Sequence, residues 1–273
     1  MLSGRAGWRA GLVQMAIAEA EPDRNLQRAL DLTAGAEAEL FVLPELFSTG
    51  YALERARELA AAGPRTLEAL ARAARGRGVG WAGSLLHPWQ GGVANAAFFV
   101  EPDGQIHALY PKVHRFRLMD EHRHLAAGSG PRVWDTSLGR IAVAVCYDLR
   151  FPVFCRRLAL AGAQALVVPA EWPHPRTPHW ELLLRARAVE NAWWVLGVNR
   201  VGPGRGVVFE GASQAVDPWG EVAVHLGGDE GVAVVEVDPR RNGEARSRIP
   251  VFEDRVPGWD DPAPVSGSGE APA

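Results

Sequence analysis

The chain has almost no lysine. Of its 29 basic residues, 28 are arginine, and Lys112 stands alone. Arginine serves wherever a generic surface cation will do, so the one retained lysine marks a position that needs a compact ammonium rather than a planar fork. Cysteine is nearly as scarce. Only Cys146 and Cys155 occur, nine residues apart and without a C-x-x-C pair. That argues against a disulfide framework and for a reducing, cytoplasmic compartment. No apolar run approaches the ~18 residues that span a bilayer, and the opening Met-Leu-Ser-Gly-Arg-Ala-Gly-Trp lacks the apolar centre of a secretory signal. The formal net charge is −3, so no basic footprint for nucleic acid exists. Neither membrane nor nucleic acid is expected as a partner.

What is present suits a globular protein. A hydrophobic content of 47% and a charged content of 22% are ordinary for such chains. No fixed-period repeat and no linker interrupts residues 1–255, which read as a single domain. From Val256 onward Pro, Gly, Ser and acidic residues dominate, and residues 256–273 read as a flexible tail.

Periodicity places the elements. Trp8 to Ile17 reads as a first strand, and Leu26, Leu30 and Ala34 give a helix opened near Pro22. Leu40 to Leu43 is a short buried strand stopped by Pro44. A helix over 64–75 and a strand over 79–85 follow. Residues 95–100 and 105–110 read as a hairpin joined through Asp-Gly. Residues 113–131 are polar and without periodicity, so they predict a long ordered loop. A strand near Val133 follows, and Ile141 to Val145 is a continuous apolar run, the mark of a strand buried on both faces. A helix over 152–161, a strand over 165–168, a helix over 179–192 and strands over 193–198, 212–216, 222–225 and 232–237 complete the order. Strands alternating with helices imply sheets covered by helices.

Three residues then stand in one kind of place. Glu45 and Cys146 follow buried strands, and Lys112 follows a hairpin strand. Ligands of open α/β sheets bind outside the carboxyl ends of strands. A carboxylate, an ammonium and a thiol meeting there form a base, an electrostatic clamp and a nucleophile. The strand-to-helix switch at Cys146, with Pro152 suited to the next helix start, aims backbone N–H groups at the thiol and favours a thiolate. Each residue alone has a plainer reading: Cys146 a small core residue, Glu45 a helix cap, Lys112 a solvated charge. Cys155 falls inside a helix and reads as core.

The three segments carry a resemblance. Leu43-Pro44-Glu45-Leu46-Phe47, Tyr110-Pro111-Lys112-Val113-His114-Arg115-Phe116 and Val145-Cys146-Tyr147-Asp148-Leu149-Arg150-Phe151-Pro152 are similar to the three signatures of the nitrilase superfamily of carbon–nitrogen hydrolases. The resemblance implies an α/β fold of four layers, an α-β-β-α sandwich. It implies that Cys146 is the nucleophile, Glu45 the general base, Lys112 the transition-state clamp and Glu121 a second buried glutamate beside the site. The backbone N–H of Tyr147 would help hold the oxyanion, and Phe116, Trp172 and Tyr51 would wall a narrow pocket.

The lysine loop from His114 to Gly128, the segment Glu171 to Trp180, and Val198-Asn199-Arg200-Val201-Gly202 resemble bacterial omega-amidases, which hydrolyse the terminal amide of 2-oxoglutaramate and 2-oxosuccinamate. One departure is Glu171, where the resemblance leads one to expect asparagine; a carboxylate at the pocket mouth would disfavour an anionic substrate. The resemblance further implies a small-molecule amide substrate, no cofactor, no metal, and a homodimer or higher homo-oligomer. Other amidases, N-carbamoyl hydrolases and nitrilases remain open at this point. So does a non-catalytic module, or a zinc module built on His107, His114, His122, His124 and Glu121.

Overall fold

The structure is a computed structural model that describes residues 7–256, apart from residue 108. Two six-stranded sheets form its centre. The first takes strands β1 (Trp8–Gln14), β2 (Leu40–Val42), β3 (Gly80–Trp89), β4 (Gly92–Val100) and β5 (Tyr110–Pro111). The second takes β6 (Val133–Thr136), β7 (Gly139–Val143), β8 (Ala165–Ala170) and β9 (Trp194–Asn199). A hairpin, β10 (Val201–Gly204) with β11 (Val207–Glu210), stands apart, and β12 (Gln214–Val216), β13 (Val222–His225) and β14 (Gly231–Val237) follow. The sheet orders are β14-β1-β2-β3-β4-β5 and β13-β12-β9-β8-β7-β6. The chain's last strand closes the edge of the first sheet, running antiparallel to β1 with Trp8 opposite Val237.

Side-chain alternation explains the layers. In β2, Leu40 and Val42 enter one apolar core while Phe41 enters another. In β4, Ala97 and Phe99 join the first core, and Phe98 and Val100 the second. Successive residues of a strand face opposite ways, so each of these strands is buried on both faces. One face of the first sheet packs on the second sheet, with β1 touching β9 and β3 touching β8. Its other face is covered by α1 (Pro22–Thr33) and the longer of two consecutive helices, α2 (Ala56–Ala60) and α3 (Gly63–Arg77), through Leu67, Leu70 and Ala74. After a one-turn α4 (Glu121–His124), helices α5 (Pro152–Leu160) and α6 (Thr177–Asn191) cover the second sheet through Leu158, Trp180 and Leu184. Gly197 lets α6 approach β9, because a Cβ there would collide with the Leu184 side chain. A last helix, α7, spans Arg240–Arg248. The four layers are those the sequence resemblance implied.

Several local readings shift. The long hairpin of the first sheet is β3–β4, turning at Gln90 and Gly91 with φ of 45° and 76°. The hairpin expected through Asp-Gly is present as well: β4 pairs antiparallel with β5, Ala96 opposite Pro111 and Ala97 opposite Tyr110, and Val100 bridges Ile106. β4 thus has an antiparallel partner on each side, β3 and β5. The loop expected over 113–131 holds a 3₁₀ turn at Arg117–Met119 and the short α4. Helices α2 and α7 and the β10–β11 hairpin had no sequence reading. Of the tail expected over 256–273, only Val256 lies among the described residues. No described helix is long and apolar enough to cross a membrane.

Candidate active site

Glu45 lies just past β2, Lys112 just past β5, and Cys146 three residues past β7, where a 3₁₀ turn (Cys146–Arg150) begins. The backbone is left-handed at Cys146, with φ of 46°. Leu46 beside Glu45 and Asp120 before Glu121 share that conformation, at 45° and 57°. Left-handed non-glycine residues are uncommon and strained, and such strain gathers at functional sites. Here Cys146 opens its 3₁₀ turn, Leu46 lies in the turn after β2, and Asp120 separates the 3₁₀ turn at Arg117–Met119 from the Glu121–His124 helix.

The polar cluster is dry and tightly bonded. Glu45, Lys112 and Glu121 have no solvent exposure, and Cys146 has 6%. Lys112 Nζ donates to Glu45 Oε1 at 2.8 Å and lies 2.8 Å from Glu121 Oε2. Asn95 Nδ2 donates to Glu45 Oε1 at 2.8 Å and to Glu121 Oε1 at 3.3 Å. Tyr51 OH donates to Glu121 Oε1 at 3.2 Å, and the Phe116 N–H donates to Glu121 Oε2. Glu45 Oε2 accepts from the Glu171 N–H at 3.0 Å. The Cys146 thiol points at the Glu171 carbonyl, 3.9 Å away. Every oxygen of both carboxylates therefore has a donor, as buried charge requires.

The electrostatics follow from burial and neighbours. Burial opposes charge on Lys112, but Glu121 and Glu45 outweigh it and hold the ammonium well above the ordinary lysine value. Burial pushes the Cys146 thiol well up; Glu45 adds to the push and Lys112 opposes it. The resting sulfur is a thiol, not the thiolate expected from its place at a helix start, because desolvation outweighs the partial charge of a few N–H groups. Burial likewise raises Tyr51, and Glu121 and Glu45 raise it further, so its hydroxyl stays a donor. Cys155 is fully buried, and burial pushes it up to about 12, as suits a core residue.

Two further contacts hold the segments in register. Asp148 Oδ2 accepts from the Val145 N–H at 3.1 Å, while Oδ1 accepts from the His114 N–H at 2.8 Å and meets His114 Nδ1 at 2.7 Å. One buried carboxylate thus ties the cysteine turn to the lysine loop. The loop returns against Pro111 at Gly128, whose N–H donates to the Lys112 carbonyl at 2.9 Å and whose missing Cβ avoids the Pro111 carbonyl.

The residues expected as a pocket wall divide. Tyr51 is 1% exposed and belongs to the polar cluster. Phe116 packs on Tyr147 with centroids 4.8 Å apart. Trp172 is 3% exposed and carries the Arg150 guanidinium 4.5 Å above its ring. Tyr147 is the second residue of its 3₁₀ turn, a position whose N–H has no partner within a helix. Glu171 does not stand at a mouth. It is 3% exposed, and its carboxyl is bonded to Arg200 at 2.8 Å, so it presents no open charge to an anion. His107 pairs with Glu101 and His114 with Asp148, and no described cluster of His, Cys, Asp or Glu could hold a metal ion. Asn95, Asp148 and Arg200 escaped the sequence reading. Asn95 had a signal, a lone amide inside the apolar Val93–Val100 run.

A thiol, a carboxylate and an ammonium at the strand ends of two face-packed, helix-covered sheets define a cysteine-bearing hydrolase class. The chain belongs to the carbon–nitrogen hydrolase family, whose family model matches residues 9–247; it is a hydrolase of carbon–nitrogen bonds other than peptide bonds. It is 37% identical over 251 residues to the 2-oxoglutaramate amidase of Bacillus subtilis, covering 90% of this chain and 97% of that relative. It is 36% identical to omega-amidase YafV of Escherichia coli, covering 85% and 89%. An amidase from Nesterenkonia sp. AN1 has been solved as a glutamine-for-glutamate mutant carrying acrylamide on its active-site cysteine. It superimposes with a TM-score of 0.79 at 28% identity, covering 90% of this chain and 99% of that one.

Proposed function

We propose that this enzyme hydrolyses the terminal amide of small omega-amides such as 2-oxoglutaramate and 2-oxosuccinamate, through a thioester on Cys146. The observation that carries the reading is the Lys112 ammonium held between Glu45 and Glu121 beside a buried thiol. Glu45 takes the thiol proton as Sγ bonds to the amide carbon. The amide oxygen becomes an oxyanion, held by Lys112 Nζ and the Tyr147 N–H. Glu45 then returns the proton to nitrogen, the C–N bond breaks, and ammonia leaves. Water, deprotonated by Glu45, attacks the thioester, and the second oxyanion collapses to the free acid with the proton back on Sγ. Glu121 holds Lys112 and Tyr51 in place throughout.

Two arginines support an anionic substrate. Arg150 lies over Trp172 at 4.5 Å and Arg176 over Phe116 at 5.8 Å. Burial lowers Arg150; Cys146 and Tyr147 counter that, and Arg176 adds to it. These are like charges on aromatic walls near the nucleophile, and among the described residues neither pairs with a carboxylate. A substrate carboxylate relieves their repulsion. The two free cysteines support a reducing, cytoplasmic setting; a homo-oligomer is our expectation for its assembly.

Ammonia release from 2-oxoglutaramate, glutamine, butyramide and a simple nitrile tests the substrate. The expected ranking puts 2-oxoglutaramate first in kcat/KM by at least ~100-fold, the worth of about 2.7 kcal/mol of differential binding. Equal turnover of butyramide would remove the case for an anionic substrate. Arg176→Ala should raise KM for 2-oxoglutaramate and leave that for butyramide unchanged.

A further inference from the structure

Glu171 and Arg200 lie behind the candidate nucleophile and base, and the mechanism above gives them no task. Arg200 follows β9 and is 1% exposed. Its Nη1 donates to Glu171 Oε2 at 2.8 Å and to Glu19 Oε1 at 3.1 Å. Its Nη2 donates to the carbonyls of Ile17 at 2.9 Å and Pro203 at 3.0 Å, and its flat face lies 4.5 Å from the centre of Phe209. Ile17 and Glu19 trail β1 of the first sheet, whereas Glu171 trails β8 of the second. One guanidinium therefore joins the two sheets.

The neighbouring residues extend the grip. Asn199 Oδ1 accepts from the Trp172 N–H at 2.7 Å, and Asn199 Nδ2 donates to the Trp172 carbonyl at 3.0 Å. Consecutive residues Asn199 and Arg200 thus hold consecutive residues Trp172 and Glu171. The backbone so held is where Glu45, from the first sheet, meets Cys146, from the second. The Glu171 N–H donates to Glu45 Oε2 at 3.0 Å, and the Glu171 carbonyl faces Cys146 Sγ at 3.9 Å.

We propose that Glu171 and Arg200 form a cross-sheet brace that positions Glu45 against Cys146. They are positioning residues, and the proposal rests on the reading of Glu45 and Cys146 as base and nucleophile. The hydrogen bond, not the net charge, does the holding. Among the described residues Glu171 Oε1 has no hydrogen-bond partner, and Arg200 anchors the side chain through Oε2. Burial pushes the Glu171 carboxyl up to about 8 against the pull of Arg200, and a protonated carboxyl still offers Arg200 an acceptor oxygen. A buried Glu–Arg contact, charged or not, is weak evidence for stability, since apolar replacements of like volume are often neutral or better. Its retention beside the reacting atoms fits a geometric task, where a displacement of 1 Å can cost ~100-fold in rate.

The test is steady-state ammonia release from 2-oxoglutaramate by the full chain, with thermal melts as the check on folding. The double variant Glu171→Met with Arg200→Leu should fold and lose ~10- to 100-fold in kcat with KM within about threefold of wild type. Glu171→Gln, which still accepts from Arg200, should keep kcat within about threefold. A folded double variant with wild-type kcat overturns the brace, and so does a Glu171→Gln variant that loses tenfold or more. If the double variant fails to fold, Glu171→Met alone is read by the same thresholds. Glu45→Gln and Cys146→Ala run alongside. Turnover surviving in these refutes the base and nucleophile assignment; turnover lost there but intact in the double variant refutes the brace alone.

Discussion

The molecule holds two clusters of like composition, one fully buried and one partly exposed at Glu19, and they are built differently. In each, one cation sits between two glutamates: Lys112 between Glu45 and Glu121, Arg200 between Glu171 and Glu19. Around Lys112 every carboxylate oxygen accepts a hydrogen bond. Around Arg200, Glu171 Oε1 and Glu19 Oε2 have none, and the guanidinium spends donors on backbone carbonyls instead. The ammonium is a point charge that can pass from carboxylate to oxyanion. The guanidinium is a fork that fastens chain segments. On the mechanism and the brace proposed above, the sites differ in task because the cations differ in shape, and the single lysine stands where a point charge is used.

The sharpest way to break this contrast is to exchange the cations. Lys112→Arg keeps the charge but displaces it and crowds the substrate. We expect a folded protein with kcat down ~100-fold or more, the loss of one oxyanion donor being worth on the order of 3 kcal/mol. Turnover within a few-fold of wild type would mean that the ammonium is generic and that the rarity of lysine carries no meaning. Glu121→Gln is next. It keeps the shape and the acceptor for Tyr51 but removes one of the two charges facing Lys112. We expect kcat to fall by ~10-fold or more with little change in melting temperature, read by kinetics and calorimetry together.

Stability separates the clusters further. Asn199→Ala strips partners from the buried N–H and carbonyl of Trp172, and orphaned buried groups cost about 1–3 kcal/mol each. A urea midpoint unchanged by that substitution would show that the Trp172 peptide finds other partners.

The next contrast is one of pH. Glu171 has a folded value of about 8 against an ordinary 4.5, raised by burial, with Glu19 and Glu45 adding to the rise and Arg200 opposing it. The folded state therefore holds a proton that the unfolded chain releases. Its stabilising contribution is full below pH ~4.5 and is lost as pH rises through 8. The wild-type melting temperature should decline between pH 5.5 and 8 more than that of Glu171→Gln, which cannot titrate; parallel declines would remove Glu171 as the cause. The smallest effect belongs to the surface. Arg9 and Glu37 pair at 3.1 Å with side chains 51% and 84% exposed, and Glu37→Gln should leave the melt unmoved, since water screens such pairs.

Much of the site was legible because its chemistry is local to strand ends. A buried apolar run interrupted by Glu45 or Cys146 forces a polar group to the rim of a sheet, and the lysine count singled out Lys112 without any fold. Asp148 and Arg200 were not legible. Their partners, His114 and Glu171, lie 34 and 29 residues away along the chain, and nothing in their own neighbourhoods distinguishes them from solvated charges. Glu171 was misplaced for the same reason. From the sequence it is a carboxylate before a Trp-Pro turn, and only the parallel pairing of β8 with β9, Ala170 opposite Asn199, brings Arg200 beside it.

By itself the sequence determined most of the elements, though not α2, α7 or the β10–β11 hairpin, the alternation that demands sheets with helices outside, and the three residues at strand ends, because periodicity and turn chemistry act over a few neighbours. Tertiary structure alone decided the thiol state of Cys146 and the enclosure of Glu171. Each of these depends on which distant side chains exclude water from a group, and desolvation is set by packing, not by sequence spacing.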